Sequence, residues 1–428
     1  MTPFTNGHEE MRPAASKDPA KSASQPFQAQ LQWWQDSGSL LARMLQAAQY
    51  STHQQYQHLL FFHRYIIPFF GPYPHRWFCI MTKSGIPIEY SLNFQQSGNP
   101  VIRLAFEPVS EMSGTPDDPF NKKPSEGLVA AATRHQLKGF DPAVFDHFSD
   151  TLFIADAEVA SIPNPESYPI KTHTALGFDF KGDKTVVKGY LHPRWKSIAT
   201  GIPVRTLLQE SITKIKDRLD CWDAFTVVDS YMHESNSYDL RNFIAWDCTS
   251  VQTSRLKIYG IHNEVSLSKI EELWTLGGRL TDGIALEGLK HIRRLWGLLD
   301  IDQTPRQYSA GDEEHLDFGP DDRFLPLFWN YEIASGSQRV SPKIYFPVYG
   351  ENDLKVALAL SRFFQTLDWN DKANSYIDSL RGLYPGLDIS QTSRLQVLIS
   401  FAFSQEKGVY MSVYYHSTTS YPSPVRAE

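Results

Sequence analysis

Cysteine is scarce, with only Cys79, Cys221 and Cys248 in 428 residues. They form no CxxC pair and no metal-ligand spacing, which excludes a disulfide scaffold or zinc framework and fits a reducing, cytoplasmic compartment. Positive charge is also short. The net charge of −7 argues against nucleic acid or an acidic membrane as partner, so any basic site must be local. No apolar run approaches the roughly 18 residues of a membrane span. HExxH, Gly-x-Ser-x-Gly and P-loop motifs are missing. "HLDFG" (315–319) carries a DFG triplet without the HRD loop that a kinase needs. The acid pairs Asp117-Asp118 and Asp321-Asp322 lack the second acid of a DDxxD magnesium motif and read as solvated loop acids, so no metal site is expected.

Aromatic residues are plentiful at 13%, including 20 tyrosines. Residues 1–26 are rich in Pro, Ala, Ser and Lys and read as a disordered arm. Residues 417–428 read as a flexible tail, which leaves 27–416 as a single domain. Within it one unit recurs five times: two helical patterns, then two strand patterns. Helical patterns over 27–70 precede "IPIEYSLNF" (86–94) and "VIRLAFE" (101–107). Patterns near 126–136 and 142–152 precede strands at 172–180 and 185–192. Those at 204–219 and 221–234 precede strands at 240–248 and 254–260. Those at 266–275 and 284–299 precede 325–333 and 342–348, and those at 352–367 and 372–384 precede 395–403 and 408–416. Val204, Leu207, Leu208, Ile212 and Ile215 form the clearest apolar helix stripe. Short polar connections make each strand pair a hairpin. Ten antiparallel strands leave two exposed edges unless they close, so an α/β fold with a closed ten-stranded barrel ringed by about ten helices is expected.

Side chains two apart on a strand share a face. In "VKGYLH", Lys188, Tyr190 and His192 oppose Val187, Gly189 and Leu191. Likewise Arg255, Lys257 and Tyr259 oppose Leu256 and Ile258, and Lys343 and Tyr345 oppose Ile344 and Phe346. Tyr410, Ser412 and Tyr414 oppose Met411, Val413 and Tyr415, while Glu89 and Arg103 stand on the polar faces of the first two strands. A solvated outer face would alternate in the same way. The recurrence of a cation with tyrosine two residues on, in successive units, favours a shared interior instead. Arg103, Lys188, Arg255, Lys257 and Lys343 in one lumen would repel one another without an anion, and a diphosphate supplies both the charge and the acceptor oxygens. Tyrosine ring faces stabilise a nearby cation by about 0.5–2 kcal/mol each. Together these features suit ionisation of an allylic diphosphate.

The motifs "GIPIEYSLNF", "RLAFEP", "VKGYLHP", "SRLKIYG", "PKIYFPV", "GENDL" and "GVYMSVYYH", in this order from about 28 to 416, resemble the fungal indole prenyltransferases of the dimethylallyl tryptophan synthase type. The resemblance implies the ABBA barrel of five ααββ units, with dimethylallyl diphosphate as co-substrate and no cofactor or metal. It implies that Arg103, Lys188, Arg255, Lys257 and Lys343 hold the diphosphate. Tyr190, Tyr259, Tyr345, Tyr410 and Tyr414 would shield the allyl cation, and Glu89 would accept the indole N–H. The tryptophan-prenylating branch often has Gln where Lys343 stands.

The wording of "WNYEI", "YGENDLKVA" and "ELWTLGGRL" resembles members acting on tryptophan-containing cyclic dipeptides, among them reverse prenyltransferases of cyclo-Trp-Pro at indole C2. Ile80, Met81, His192, Arg241 and Trp329 are candidate acceptor-pocket residues. Lys171, His173 and Thr174 lie where part of the family has its rearomatisation base, without a clear match. A small-molecule indole acceptor is the implied partner, with the protein a monomer or homodimer. Free tryptophan or another aromatic as acceptor, or a non-catalytic anion binder, are the competing readings.

Overall fold

In the computed structural model, residues 27–74, 77, 79, 81–82, 86–165, 168, 170–306 and 325–416 are described. The arm, the tail, Ile80, Asp321-Asp322 and "HLDFG" lie outside them. The five-fold ααββ order is present. The helix pairs are α1 (Ser39–Ala47) and α2 (Thr52–Phe61), α3 (Lys123–Arg134) and α4 (Ala143–Leu152), α5 (Val204–Ile215) and α6 (Trp222–Glu234), α7 (Leu267–Trp274) and α8 (Gly283–Leu299), and α9 (Asp353–Thr366) and α10 (Asn370–Leu383). The strands are β1 (Ile88–Gln95), β2 (Val101–Phe106), β3 (Thr174–Lys181), β4 (Lys184–Leu191), β5 (Phe243–Asp247), β6 (Arg255–His262), β7 (Leu327–Ala334), β8 (Val340–Pro347), β9 (Gln396–Ser404) and β10 (Gly408–Tyr415). Strand β5 starts three residues later than the sequence pattern suggests, because 240–241 form a turn.

Helix starts follow local chemistry. Ser51 and Gln54 form a capping box at α2, and Ser266, Asp282 and Asn352 accept the N–H groups of Lys269, Ala285 and Lys355. Asp118 corrects the loop-acid reading, since it is buried and accepts the backbone N–H groups of Lys122 (2.8 Å) and Lys123 (3.2 Å) at the entry to α3. Among the described residues, no helix is long and apolar enough to cross a membrane.

Each strand pairs antiparallel with its neighbours in sequence, and β1 closes on β10 through Tyr90–Tyr415 to Gln95–Tyr410. Closure satisfies every edge. The main core lies between barrel and helices, where the α5 stripe Val204, Leu207, Leu208, Ile212 and Ile215 is buried. Two outward tryptophans lie across glycines of adjacent strands. A Cβ built on Gly189 would sit 2.4 Å from Trp246 Cζ2, and one on Gly260 would sit 2.0 Å from Trp329 Cζ2. Gly260→Ala should therefore overpack this layer and lower unfolding stability by about 1–3 kcal/mol. A urea midpoint equal to wild type would contradict that packing.

Candidate active site in the barrel lumen

Because all ten strands belong to hairpins, odd strands start, and even strands end, at the same mouth. Residues early in odd strands and late in even strands therefore share a level. Three levels result: a charged floor, a tyrosine belt and a partly apolar vestibule.

The floor gathers the five cations expected there, and also carboxylates that were not expected. Arg103, Lys188 and Lys257 stand directly opposite Asp179, Asp247 and Glu332 in the strand register. Lys188 Nζ donates to Asp179 Oδ1 at 2.5 Å, and Arg103 Nε lies 3.2 Å from the same oxygen. Arg255 donates from Nε to Asp247 (2.7 Å) and from Nη1 to Glu332 (3.0 Å), while Lys257 Nζ lies 3.6 Å from Glu332. Lys181 adds a half-exposed cation 3.7 Å from Asp179. The strand alternation that exposed the cations would have found these acids too, had it been applied to "FDF", "AWD" and "NYE". Lys343 differs, for it faces Asn330 and has no carboxylate within 4.0 Å among the described residues. Its Nζ sits 5.2 Å from the Tyr410 ring.

The charges report this arrangement. Burial pushes Glu332 up, but Lys257 and Arg255 override it and hold the carboxyl down at about 2. Burial lowers Lys188 to about 7, with Asp179 resisting. Burial together with Arg103 and Lys257 takes Lys343 well below the usual lysine range.

Above the floor, four rings follow one another around the wall: Tyr190–Tyr259 (6.4 Å), Tyr259–Tyr345 (6.1 Å) and Tyr345–Tyr414 (5.9 Å). Asn330 Nδ2 donates to the Tyr345 hydroxyl at 2.8 Å, which reaches Tyr259 Oη at 3.4 Å. Gly177 makes room for Tyr190, since a Cβ there would lie 3.0 Å from Tyr190 Cε2. Burial raises all four phenols, so they stay protonated hydrogen-bond donors. Tyr410 does not join this belt. It lies a level deeper, hydrogen-bonded to Arg103, whose guanidinium sits 5.3 Å from its ring.

At the mouth, Glu89 is half-buried and makes no hydrogen bond or ion pair among the described residues. Burial alone pushes it up to about 8. His192, just past β4, lies against Phe243 at 4.8 Å, and Phe243 in turn stacks on Tyr259 at 4.2 Å. Burial and Arg194 push His192 down to about 4, so it is neutral. Phe243, Phe328 and Leu398 line the same level. They escaped notice because isolated apolar residues on a strand look like core.

One acceptor-pocket expectation fails, and a second residue lies off the strand where it was expected. Trp329 is on the outer face, 1% exposed, covering Gly260. Arg241 is in the turn before β5 and is ion-paired with Asp239 at 2.5 Å rather than standing on a strand. Met81 packs with Trp77, Cys79 and Val109, a segment pinned by Glu107. That buried carboxylate accepts from Trp77, Cys79, Asn121 and Thr172 at 2.8–3.1 Å. His173 is not available as a base. Its Nε2 accepts from the Ile154 N–H (3.0 Å) and its Nδ1 faces the His192 carbonyl (3.2 Å). Thr174 Oγ1 is likewise used, donating to the Tyr190 carbonyl at 2.7 Å.

The sequence profile of the tryptophan dimethylallyltransferase family matches residues 29–379. The chain belongs to that family. It is 42% identical to the reverse prenyltransferase criA of Aspergillus cristatus, over 99% of this chain and 98% of the relative. It is 43% identical to deoxybrevianamide E synthase of Aspergillus versicolor, over 97% of both. The crystal structure of NotF in complex with brevianamide F and DMSPP superposes with a TM-score of 0.84 at 41% identity, covering 94% of this chain and 99% of NotF. The barrel is thus the ABBA prenyltransferase fold, and the protein is a prenyltransferase.

For such an enzyme the floor should bind inorganic pyrophosphate with a defined pH dependence. The anion favours protonated Lys188, which burial has lowered to about 7. Affinity should fall as pH rises above about 7, by up to about tenfold per unit for each proton taken up. Calorimetry between pH 6 and 9 checks this, and an affinity that rises with pH would be the wrong sign.

Proposed function

We propose that the protein transfers the dimethylallyl group of dimethylallyl diphosphate to the indole of a tryptophan-containing cyclic dipeptide such as cyclo-L-Trp-L-Pro. We propose reverse attachment at C2 and no metal requirement. The carrying observation is the vertical order of the lumen: cations, then tyrosine faces, then one unpartnered carboxylate. Arg103, Lys188, Arg255, Lys257 and Lys343 hold the diphosphate as the allylic C–O bond breaks and the bonding pair leaves with oxygen. Tyr190, Tyr259, Tyr345 and Tyr414 face the allyl cation, and Tyr410 donates to the diphosphate beside Arg103. An indole π pair forms the new bond to the tertiary allyl carbon, and loss of the proton from the attacked carbon restores the aromatic ring. Glu89 accepts the indole N–H and raises its nucleophilicity. Positioning and exclusion of water carry the catalysis, since water would otherwise capture the cation.

Several features support a cyclic dipeptide. Deoxybrevianamide E synthase and NotF, bound to brevianamide F, are similar along nearly the whole chain. Arg241 is engaged by Asp239 instead of standing ready for an amino-acid carboxylate. The vestibule residues Phe243, Phe328 and Leu398 suit an uncharged ring.

With dimethylallyl diphosphate, cyclo-L-Trp-L-Pro and excess EDTA, the expected product is one prenyl unit heavier, with NMR showing the reverse group at C2. Product appearing only with Mg²⁺ would refute metal independence, and faster turnover of free tryptophan would refute the acceptor. A second outcome tests Glu89. The ionised carboxylate accepts the N–H far more strongly than the acid does, so wild-type kcat/KM for the indole should rise with pH through about 8. Glu89→Gln should lose that limb and about 10²-fold in rate. Full activity in Glu89→Gln would remove the indole anchor.

A further inference from the structure

The cations assigned to the diphosphate are already engaged by carboxylates. Lys188 gives its short bond to Asp179, and Arg255 spends two donors on Asp247 and Glu332. Lys257 leans on Glu332 from the next position along the strand face. These carboxylates come from three successive first strands of hairpins, β3, β5 and β7, each opposite a cation on a second strand. Their own satisfaction is incomplete, for Asp179 Oδ2 and Asp247 Oδ1 are buried and accept no hydrogen bond among the described residues, though Lys181 Nζ lies 3.7 Å from Asp179 Oδ2. Within their own hairpins the cations face uncharged residues, Gly177 opposite Lys188, Ala245 opposite Lys257 and Asn330 opposite Lys343, so the acids that stand directly opposite a cation come in each case from the neighbouring hairpin.

We infer that Asp179, Asp247 and Glu332 are resident counter-ions that compete with diphosphate for the same donors, giving way when the prenyl donor binds and expelling pyrophosphate after transfer. This rests on the diphosphate reading above. In the resting state the three acids keep the cations assembled without an anion. When diphosphate enters, Arg255, Lys188 and Lys257 exchange carboxylate oxygens for phosphate oxygens, with Lys343 supplying a donor that no acid contests. Once the C–O bond has broken and the new C–C bond has formed, the pyrophosphate would be held by four or more cationic groups. Re-formation of the ion pairs offsets its dissociation. The acids are positioning residues, acting through the cations rather than on the reacting carbon.

Glu332→Gln keeps the shape and removes the competing charge. It should bind inorganic pyrophosphate about tenfold more tightly than wild type by calorimetry. It should lower KM for dimethylallyl diphosphate and lower kcat, with a pre-steady-state burst of prenylated product that marks slow pyrophosphate release. KM for the indole should stay near wild type. Pyrophosphate should also raise the melting temperature of the variant more than that of wild type, a readout that survives a partly destabilised fold. Asp247→Asn, which frees Arg255 Nε, should act in the same direction. If wild type binds pyrophosphate and neither variant binds it more tightly, the counter-ion inference is wrong while the diphosphate site stands. If wild type binds no pyrophosphate, both fall.

Discussion

Like charges buried together must be compensated, and this lumen is built around that requirement. Two cations about 4 Å apart repel by roughly 4 kcal/mol at the effective dielectric of a partly screened protein site. Here Arg103, Lys188, Arg255, Lys257 and Lys343 converge on one floor. Three carboxylates relieve part of the repulsion, and deprotonation relieves more, since Lys188 and Lys343 are both driven toward their neutral forms. The floor therefore carries less charge than its residue count suggests. An incoming anion restores the missing protons and with them its own affinity.

Barrel closure makes this concentration of charge feasible. In an open sheet the polar face would meet bulk water and the cations would be screened. Closure, with Tyr90–Tyr415 and its neighbours joining β1 to β10, turns five separate polar faces into one enclosed wall. The outer faces then need a continuous apolar cover. Trp246 and Trp329 lying across Gly189 and Gly260 show how tightly that cover fits, which keeps the inner side chains at fixed heights. A tyrosine belt with successive ring centres 5.9–6.4 Å apart depends on such rigidity.

The architecture was legible because its signals are periodic. Apolar spacing marked the α5 stripe, and period-two alternation placed Lys188, Tyr190, Lys257, Tyr259, Lys343 and Tyr345 on a common face. What stayed hidden depends on three-dimensional partners. Asp179, Asp247 and Glu332 each look like a single strand acid until the register sets them opposite Arg103, Lys188 and Lys257. Trp329 misled because a tryptophan near a proposed site suggests stacking, whereas its parity places it outside. Asp118 misled because a buried acid that accepts backbone N–H groups and a solvated loop acid look alike in sequence. Tyr410 carries the same residue type as the belt, but its position four residues before Tyr414 sets it at the depth of Arg103.

The same carboxylate chemistry takes opposite forms at the two ends of this lumen. Glu332, between Arg255 and Lys257, is held at about 2 and stays ionised throughout the physiological range. Glu89, in the vestibule with no hydrogen bond or ion pair among the described residues, is raised to about 8 by burial alone. Pairs of titratable groups pushed apart by their surroundings mark divided roles. The floor acid stays ionised and serves as a permanent charge. The vestibule acid is poised, with an acceptor oxygen that gains a partner only when a donor N–H arrives. Placing the poised acid above the tyrosines and the fixed acids below them keeps the vestibule carboxylate away from the cations that would otherwise capture it. Depth in the barrel thus separates a fixed set of charges from a poised acceptor.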